Sequence, residues 1–150
     1  MTGNLMVEFN KRPKLGVIST SNKRGEVDSA VCGSPWMVDE KMVVVGLTGG
    51  RTFANLQENP NAVYLIIWKQ GEGIFDWKGI RVYLRMKEYV TSGPVFDDVK
   101  KQTTKKISEK AADMLKVFAK FEVTEVRPLI DLWQGWEKSI QSDTGPCQEN

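Results

Sequence analysis

Apolar and polar positions change period several times along this chain, and each change marks an element. Leu5, Met6 and Phe9 in "GNLMVEFNKR" fall at helical spacing, which predicts a short amphipathic helix ended by Pro13. "KLGVISTS" is small and β-branched and predicts a strand, and "NKRGE" has the Asn and Gly of a reversal. "VDSAVCGSPWMV" alternates weakly as the partner strand, disrupted at Ser34-Pro35. After the turn "VDEKM", the unbroken apolar run of "KMVVVGL" predicts a strand covered on both faces. In "RTFANLQENP", Phe53, Leu56 and Gln57 are spaced for a short helix capped by Thr52 and stopped by Pro60. "NAVYLIIW" is a fourth strand and "QGEG" a turn.

In "IRVYLRMKEYV", Ile80, Val82, Leu84 and Met86 alternate with Arg81, Tyr83, Arg85 and Lys87, which predicts a strand with one apolar face. A helix is predicted after Pro94. Another starts at Ser108 as cap and runs through "SEKAADMLKVFAKF", with Ala112, Leu115, Val117, Phe118 and Phe121 as its apolar face. "EVTEVRPLIDLW" closes the series as a strand. Successive strands joined by short turns predict a mainly β chain, a six-stranded antiparallel sheet closed or nearly closed into a small barrel, with helices inserted. Strands and helices do not alternate, which disfavours a doubly wound fold. Residues 1–138 form the one expected domain; 139–150, polar and carrying Gly145-Pro146, form an expected flexible tail.

Composition narrows the function classes. The 150 residues carry 21 basic and 19 acidic side chains, a net charge of +2, and the densest basic stretch, Lys100 to Lys106, reads as a solvated helix face or end. No nucleic-acid partner is expected. No apolar run reaches membrane-span length and the first residues lack the apolar core of a signal peptide, so no membrane partner and a cytoplasmic location are expected. The two cysteines, Cys32 and Cys147, are far apart and belong to no CxxC pair, so neither a disulfide framework nor a metal site is expected. Histidine is absent altogether, which removes Ser-His-Asp chemistry and imidazole bases. No catalytic side chain is assigned.

The best candidate for chemistry is Gly49-Gly50-Arg51-Thr52. Two glycines let a backbone approach a ligand closely and leave amide N–H groups free. The helix that follows points its positive end at the same place, Arg51 can fork onto a phosphate, and Thr52 offers a hydroxyl. The plain alternative is a glycine turn beside a solvated arginine. The GxxxxGK pattern of a nucleotide P-loop is absent.

The ordered series "GVISTSNKRGEVDSA", "MVVVGLTGGRT", "RTFANLQENPNAV" and "IRVYLRMKEYVTSGPVFDDV", over roughly residues 4–132, resembles the FMN-binding split β-barrel family. That family comprises pyridoxamine 5′-phosphate oxidase-like proteins and small FMN-binding proteins of anaerobic bacteria and archaea. The resemblance implies an FMN-binding homodimer of split-barrel fold. It implies that Arg51 and Thr52 hold the FMN phosphate, helped by Thr48 and the Gly50 backbone. It places Ala30, Val31 and Cys32 along the isoalloxazine ring, Val45, Gly46 and Leu47 beside the ribityl chain and ring edge, and Trp133 and Trp136 as ring contacts from the closing segment. Many members carry a second basic residue where Thr52 stands, and full pyridoxamine phosphate oxidases use a C-terminal Arg and His. Thr52 and the lack of histidine point to the small FMN-binding branch. The implied activity is an FMN-dependent oxidation or reduction of a small molecule, with a small-molecule or redox-protein electron donor or acceptor. The alternatives are an FMN electron carrier without its own substrate, or a member that binds another cofactor.

Overall fold

The computed structural model describes residues 3–12 and 14–131. The elements run α1 (Gly3–Asn10), β1 (Leu15–Ser21), β2 (Val27–Val31), β3 (Trp36–Asp39), β4 (Met42–Leu47), α2 (Arg51–Glu58), β5 (Asn61–Lys69), a 3-10 turn (Ile74–Asp76), β6 (Lys78–Val90), α3 (Pro94–Lys106), α4 (Glu109–Met114) and β7 (Val117–Pro128). All strand pairs are antiparallel and form one sheet in the order β2-β1-β5-β6-β7-β4-β3.

Two expectations are corrected here. The sheet has seven strands rather than six, and it is not closed, because the end strands β2 and β3 do not pair. The extra strand comes from Val27–Val38, expected as one strand. Pro35 lacks a ladder N–H and the chain breaks there, so its two halves lie on opposite edges. The connection is short enough to dictate the shape. Between Val31 and Trp36 the chain can span at most about 18 Å, whereas the outer strands of a flat seven-stranded sheet lie about 29 Å apart. The sheet must therefore curl until its edges approach at residues 32–35. Bulges in the long strand β6, at Tyr83/Leu84 and Met86/Glu88, supply part of the bend.

The helix expected to run from Ser108 to Phe121 stops at Met114. Ser108 is its cap as expected, its hydroxyl accepting from the Ala111 N–H at 3.0 Å. The run Val117, Phe118, Phe121 instead extends β7, where it pairs with β4 and β6. Its side chains satisfy a helical face as well as a strand, and the two free ladders decide for the strand. β7 also ends at Pro128 rather than Trp133. Thr52 is not the cap of α2: Gly50 holds that position with no side-chain hydrogen bond, and Thr52 lies within the first turn. The basic stretch from Lys100 to Lys106 forms the last turns of α3.

The core lies inside the curl. Ile18, Val43, Val45, Tyr64, Ile66, Ile80, Val82, Leu84 and Phe121 point inward, and Leu5 and Phe9 of α1 cover one end. The α1 terminus is tied down by polar groups. The Asn10 amide donates to the Met37 carbonyl at 2.8 Å and accepts from its N–H at 2.7 Å, so a side chain pairs with the free edge of β3. Lys14 Nζ donates to the carbonyls of Phe9 (2.6 Å) and Pro35 (2.8 Å) and lies 4.1 Å from the centroid of the Phe9 ring. Gly16 leaves room for Tyr64: a Cβ there would lie 2.0 Å from the phenol oxygen, which donates to the Cys32 carbonyl at 2.5 Å. No helix among the described residues is long and apolar enough to cross a membrane.

Candidate functional site

The ends of β2 and β4, the turn into α2 and the α3–α4 junction surround a cavity of about 410 Å³. Each wall follows from local sequence. β4 ends at Leu47, whose carbonyl accepts from Lys116 N–H at 2.7 Å. Gly49 then takes φ +85, which a side chain would strain, and turns the chain into α2. Ala54 N–H bonds to the Gly50 carbonyl at 3.1 Å, so the preceding amides of the first turn have no intrahelical acceptor. Thr48, Gly49, Gly50, Arg51 and Thr52 all line this end of the cavity.

Arg51 stands 77% exposed at the side chain, and its Nη1 lies 3.8 Å from Asp28 Oδ1, a loose pair across the cavity mouth. Its position is set from below. Asn55, one turn on, is buried and donates to Thr20 Oγ1 at 3.1 Å, which fixes α2 against β1. The opposite end is built by β2 and the link after it. Cys32 N–H bonds to the Gly16 carbonyl at 2.9 Å, and the antiparallel alternation then turns the N–H and C=O of Val31 out from the sheet edge. Ser34 Oγ bridges to β4, donating to the Gly46 carbonyl at 2.6 Å and accepting from its N–H at 3.0 Å. The third wall is apolar: Ile107, Ala111, Met114 and Leu115. Leu115 fits only because residue 46 is glycine, since a Cβ there would lie 2.5 Å from its Cδ1.

Of the residues marked from sequence, Ala30, Val31, Cys32, Gly46, Leu47, Thr48, Gly50, Arg51 and Thr52 meet around this one cavity. Val45 does not: its side chain is fully buried in the core beside them. Trp133, Trp136, Cys147 and the tail 139–150 lie outside the described residues. Sequence reading missed Asp28, Ser34 and the α3–α4 wall. Asp28 and Ser34 carried no motif, and the apolar wall was read as packing. Among the described residues no group of three His, Cys, Asp or Glu side chains could hold a metal. The site has one polar end, with a cation and free amides, and one long apolar flank. That suits a ligand with an anionic end and a flat, largely apolar body.

The fold has counterparts among known proteins. The model of the pyridoxamine 5′-phosphate oxidase family matches residues 4–129. No curated protein matches the chain. An FMN-binding protein from Syntrophomonas wolfei subsp. wolfei superposes with a TM-score of 0.73 at 22% identity, covering 87% of this chain and 86% of that one. An FAD-binding protein from Mesorhizobium loti gives 0.60 at 13% identity, over 84% and 92% of the two chains. HutZ, the heme storage protein from Vibrio cholerae, gives 0.61 at 16% identity, over 81% and 90%. At these identities the solved structures share the fold, while their cofactors differ. The match over most of the sequence, on a curled antiparallel sheet of the same architecture, assigns the chain to the pyridoxamine 5′-phosphate oxidase family.

Proposed function

We propose that this protein binds FMN in the cavity between β2, β4, α2 and α4, and acts as a flavin-dependent oxidoreductase on a small molecule. The observation that carries the reading is the continuity of the Gly49–Thr52 turn with the apolar flank of Ile107, Met114 and Leu115. FMN, when bound, supplies hydride and one-electron chemistry. The chain's own groups bind and orient. Arg51, the Thr48 and Thr52 hydroxyls and the first amides of α2 suit a phosphate. The outward backbone groups of Val31 suit a ring edge that carries both donors and acceptors. Leu115 and Met114 keep water from one ring face. No side chain is assigned to proton transfer.

A homodimer is part of the proposal. Val31 is 75% exposed and Met114 59% exposed, although both line the cavity. A second copy over this rim would cover them and complete the site. Heme is the less favoured occupant, since the sequence offers no histidine as axial ligand. An enzyme is favoured over a pure electron carrier because a second hollow adjoins the cavity. The test is titration of the purified protein with FMN, followed by its visible bands and fluorescence. Saturable uptake is expected. No flavin after purification and no uptake on titration would overturn the assignment.

A further inference from the structure

A second cavity, of about 180 Å³, shares Ser34, Gly46 and Ile107 with the first. Its remaining walls come from Arg12, β3, β4, one face of α3 and Phe118 of β7, and no carboxylate lines it. Two cations lie near one indole there. The Arg12 guanidinium carbon lies 5.5 Å from the Trp36 ring centroid, and Lys106 Nζ lies 3.9 Å from it. Among the described residues, neither cation pairs with a carboxylate.

Arg12 is oriented but not satisfied. Its Nη2 donates to the carbonyls of Pro35 (2.7 Å) and Ser34 (3.3 Å), while Nε and Nη1 are buried with no hydrogen-bond partner. Buried polar atoms are nearly always paired, so two idle nitrogens on one guanidinium need an explanation. Burial lowers the pKa of Arg12, and partial desolvation followed by the nearby Arg12 lowers that of the exposed Lys106. Both cations therefore lack the counter-charge that would stabilise them.

We propose that the hollow bounded by Arg12, Trp36 and Lys106 is an anion subsite, which takes the carboxylate or phosphate end of a small organic ligand. The ligand's body would pass Ser34 and Gly46 into the first cavity. Arg12 is held in place by two carbonyls and a ring, so little further ordering is needed. Lys106 is exposed at the end of α3 on a flexible stem and can swing off the ring to admit the anion to the guanidinium. The role of this subsite as the charged end of a substrate pocket rests on the flavin reading. The anion site itself does not.

The experiment titrates the full chain with inorganic phosphate and, separately, with succinate at constant ionic strength. Calorimetry gives affinity and tryptophan fluorescence gives location. Saturable binding is expected, with a fluorescence change that Trp36→Phe abolishes. Lys106→Gln and Arg12→Gln should each weaken it at least tenfold, whereas Lys23→Gln, an exposed position in the turn between β1 and β2, should not. Tighter succinate would mark a carboxylate ligand, and tighter phosphate a phosphate ester. Lys106 is exposed, so its variant keeps the test valid if Arg12→Gln fails to fold. No binding of either anion, undiminished binding in Lys106→Gln, or equal loss in Lys23→Gln would overturn the subsite. Anion binding with this pattern in a protein that takes up no FMN would leave the subsite standing and remove only its link to flavin chemistry.

Discussion

At the scale of single residues, the cavity mouth balances one cation against one carboxylate. Arg51 is largely exposed, and its contact with Asp28 at 3.8 Å is too long for a strong hydrogen bond. It is free to turn toward an anion at the start of α2. Arg51→Ala should therefore weaken FMN by about 1.5–3 kcal/mol, the range of a hydrogen bond to a charged group, as read by fluorescence titration. Equal affinity would show that the phosphate is held elsewhere. Asp28→Asn has the opposite expected sign. It removes a carboxylate that competes for the same guanidinium and faces the incoming phosphate, and it should tighten FMN by roughly 0.2–1 kcal/mol. Weaker binding in that variant would mean that Asp28 positions Arg51 rather than competing for it. The two positions also differ in how readable they were. Arg51 and Thr52 follow a glycine turn and open a helix, all within a few residues, so local sequence is enough to mark them. Asp28 reaches the mouth only because the β1–β2 register sets it opposite Thr20, beside α2, and nothing local encodes that.

At the scale of elements, the fit of strands to one another depends on two bare backbone positions. Gly16 lies beneath the Tyr64 ring, whose hydroxyl holds the Cys32 carbonyl. Gly16→Ala should destabilise the fold by about 1–3 kcal/mol, the usual cost of overpacking. Tyr64→Leu, which removes the ring atoms that the added Cβ would meet, should cost less in the Gly16→Ala background than in the parent. Denaturant unfolding of the single and double variants checks this, and strict additivity would refute the clash. The same dependence explains which elements were legible. β1, β5 and β6 alternate cleanly and were readable as strands, with inward positions such as Ile18, Tyr64 and Val82. β7 was misread at its start because Ala112, Leu115 and Phe118 also fit a helical face. Its strand state depends on β4, whose Gly46 lies opposite Phe118 from a distant part of the sequence. The division of Val27–Val38 into two edge strands was only half visible, as a break at Ser34-Pro35. That the halves fall on opposite edges is a property of the whole sheet.

At the scale of the whole molecule, one buried amine couples stability to pH. Lys14 joins the end of α1 to the link between the sheet edges. Burial first, and then Arg12 nearby, pushes its pKa down to about 6. An unfolded lysine titrates near about 10.4. Between these values the unfolded chain binds a proton that the folded chain has released, so stability rises with pH across that window and levels off below it. The melting temperature should be higher at pH 9 than at pH 6.5, and Lys14→Met should flatten the difference. An unchanged pH slope in that variant would assign the effect to other groups.

The sheet order has a further consequence, for the route by which the chain folds. β1–β2, β3–β4 and β5–β6 are hairpins of neighbouring strands, but β4 pairs with β7 across a long span, with Met42 opposite Glu122. Loop-closure entropy opposes that pairing until the rest is in place. The hairpins should form early, and β7 should insert late between β6 and β4. The inserted strand brings Leu115 and α4 with it, so the cavity is assembled in the last step. Conservative truncations in β7, such as Val117→Ala, should accelerate unfolding more than they slow folding. Ligand-binding competence should appear no sooner than the final folding phase in stopped-flow refolding.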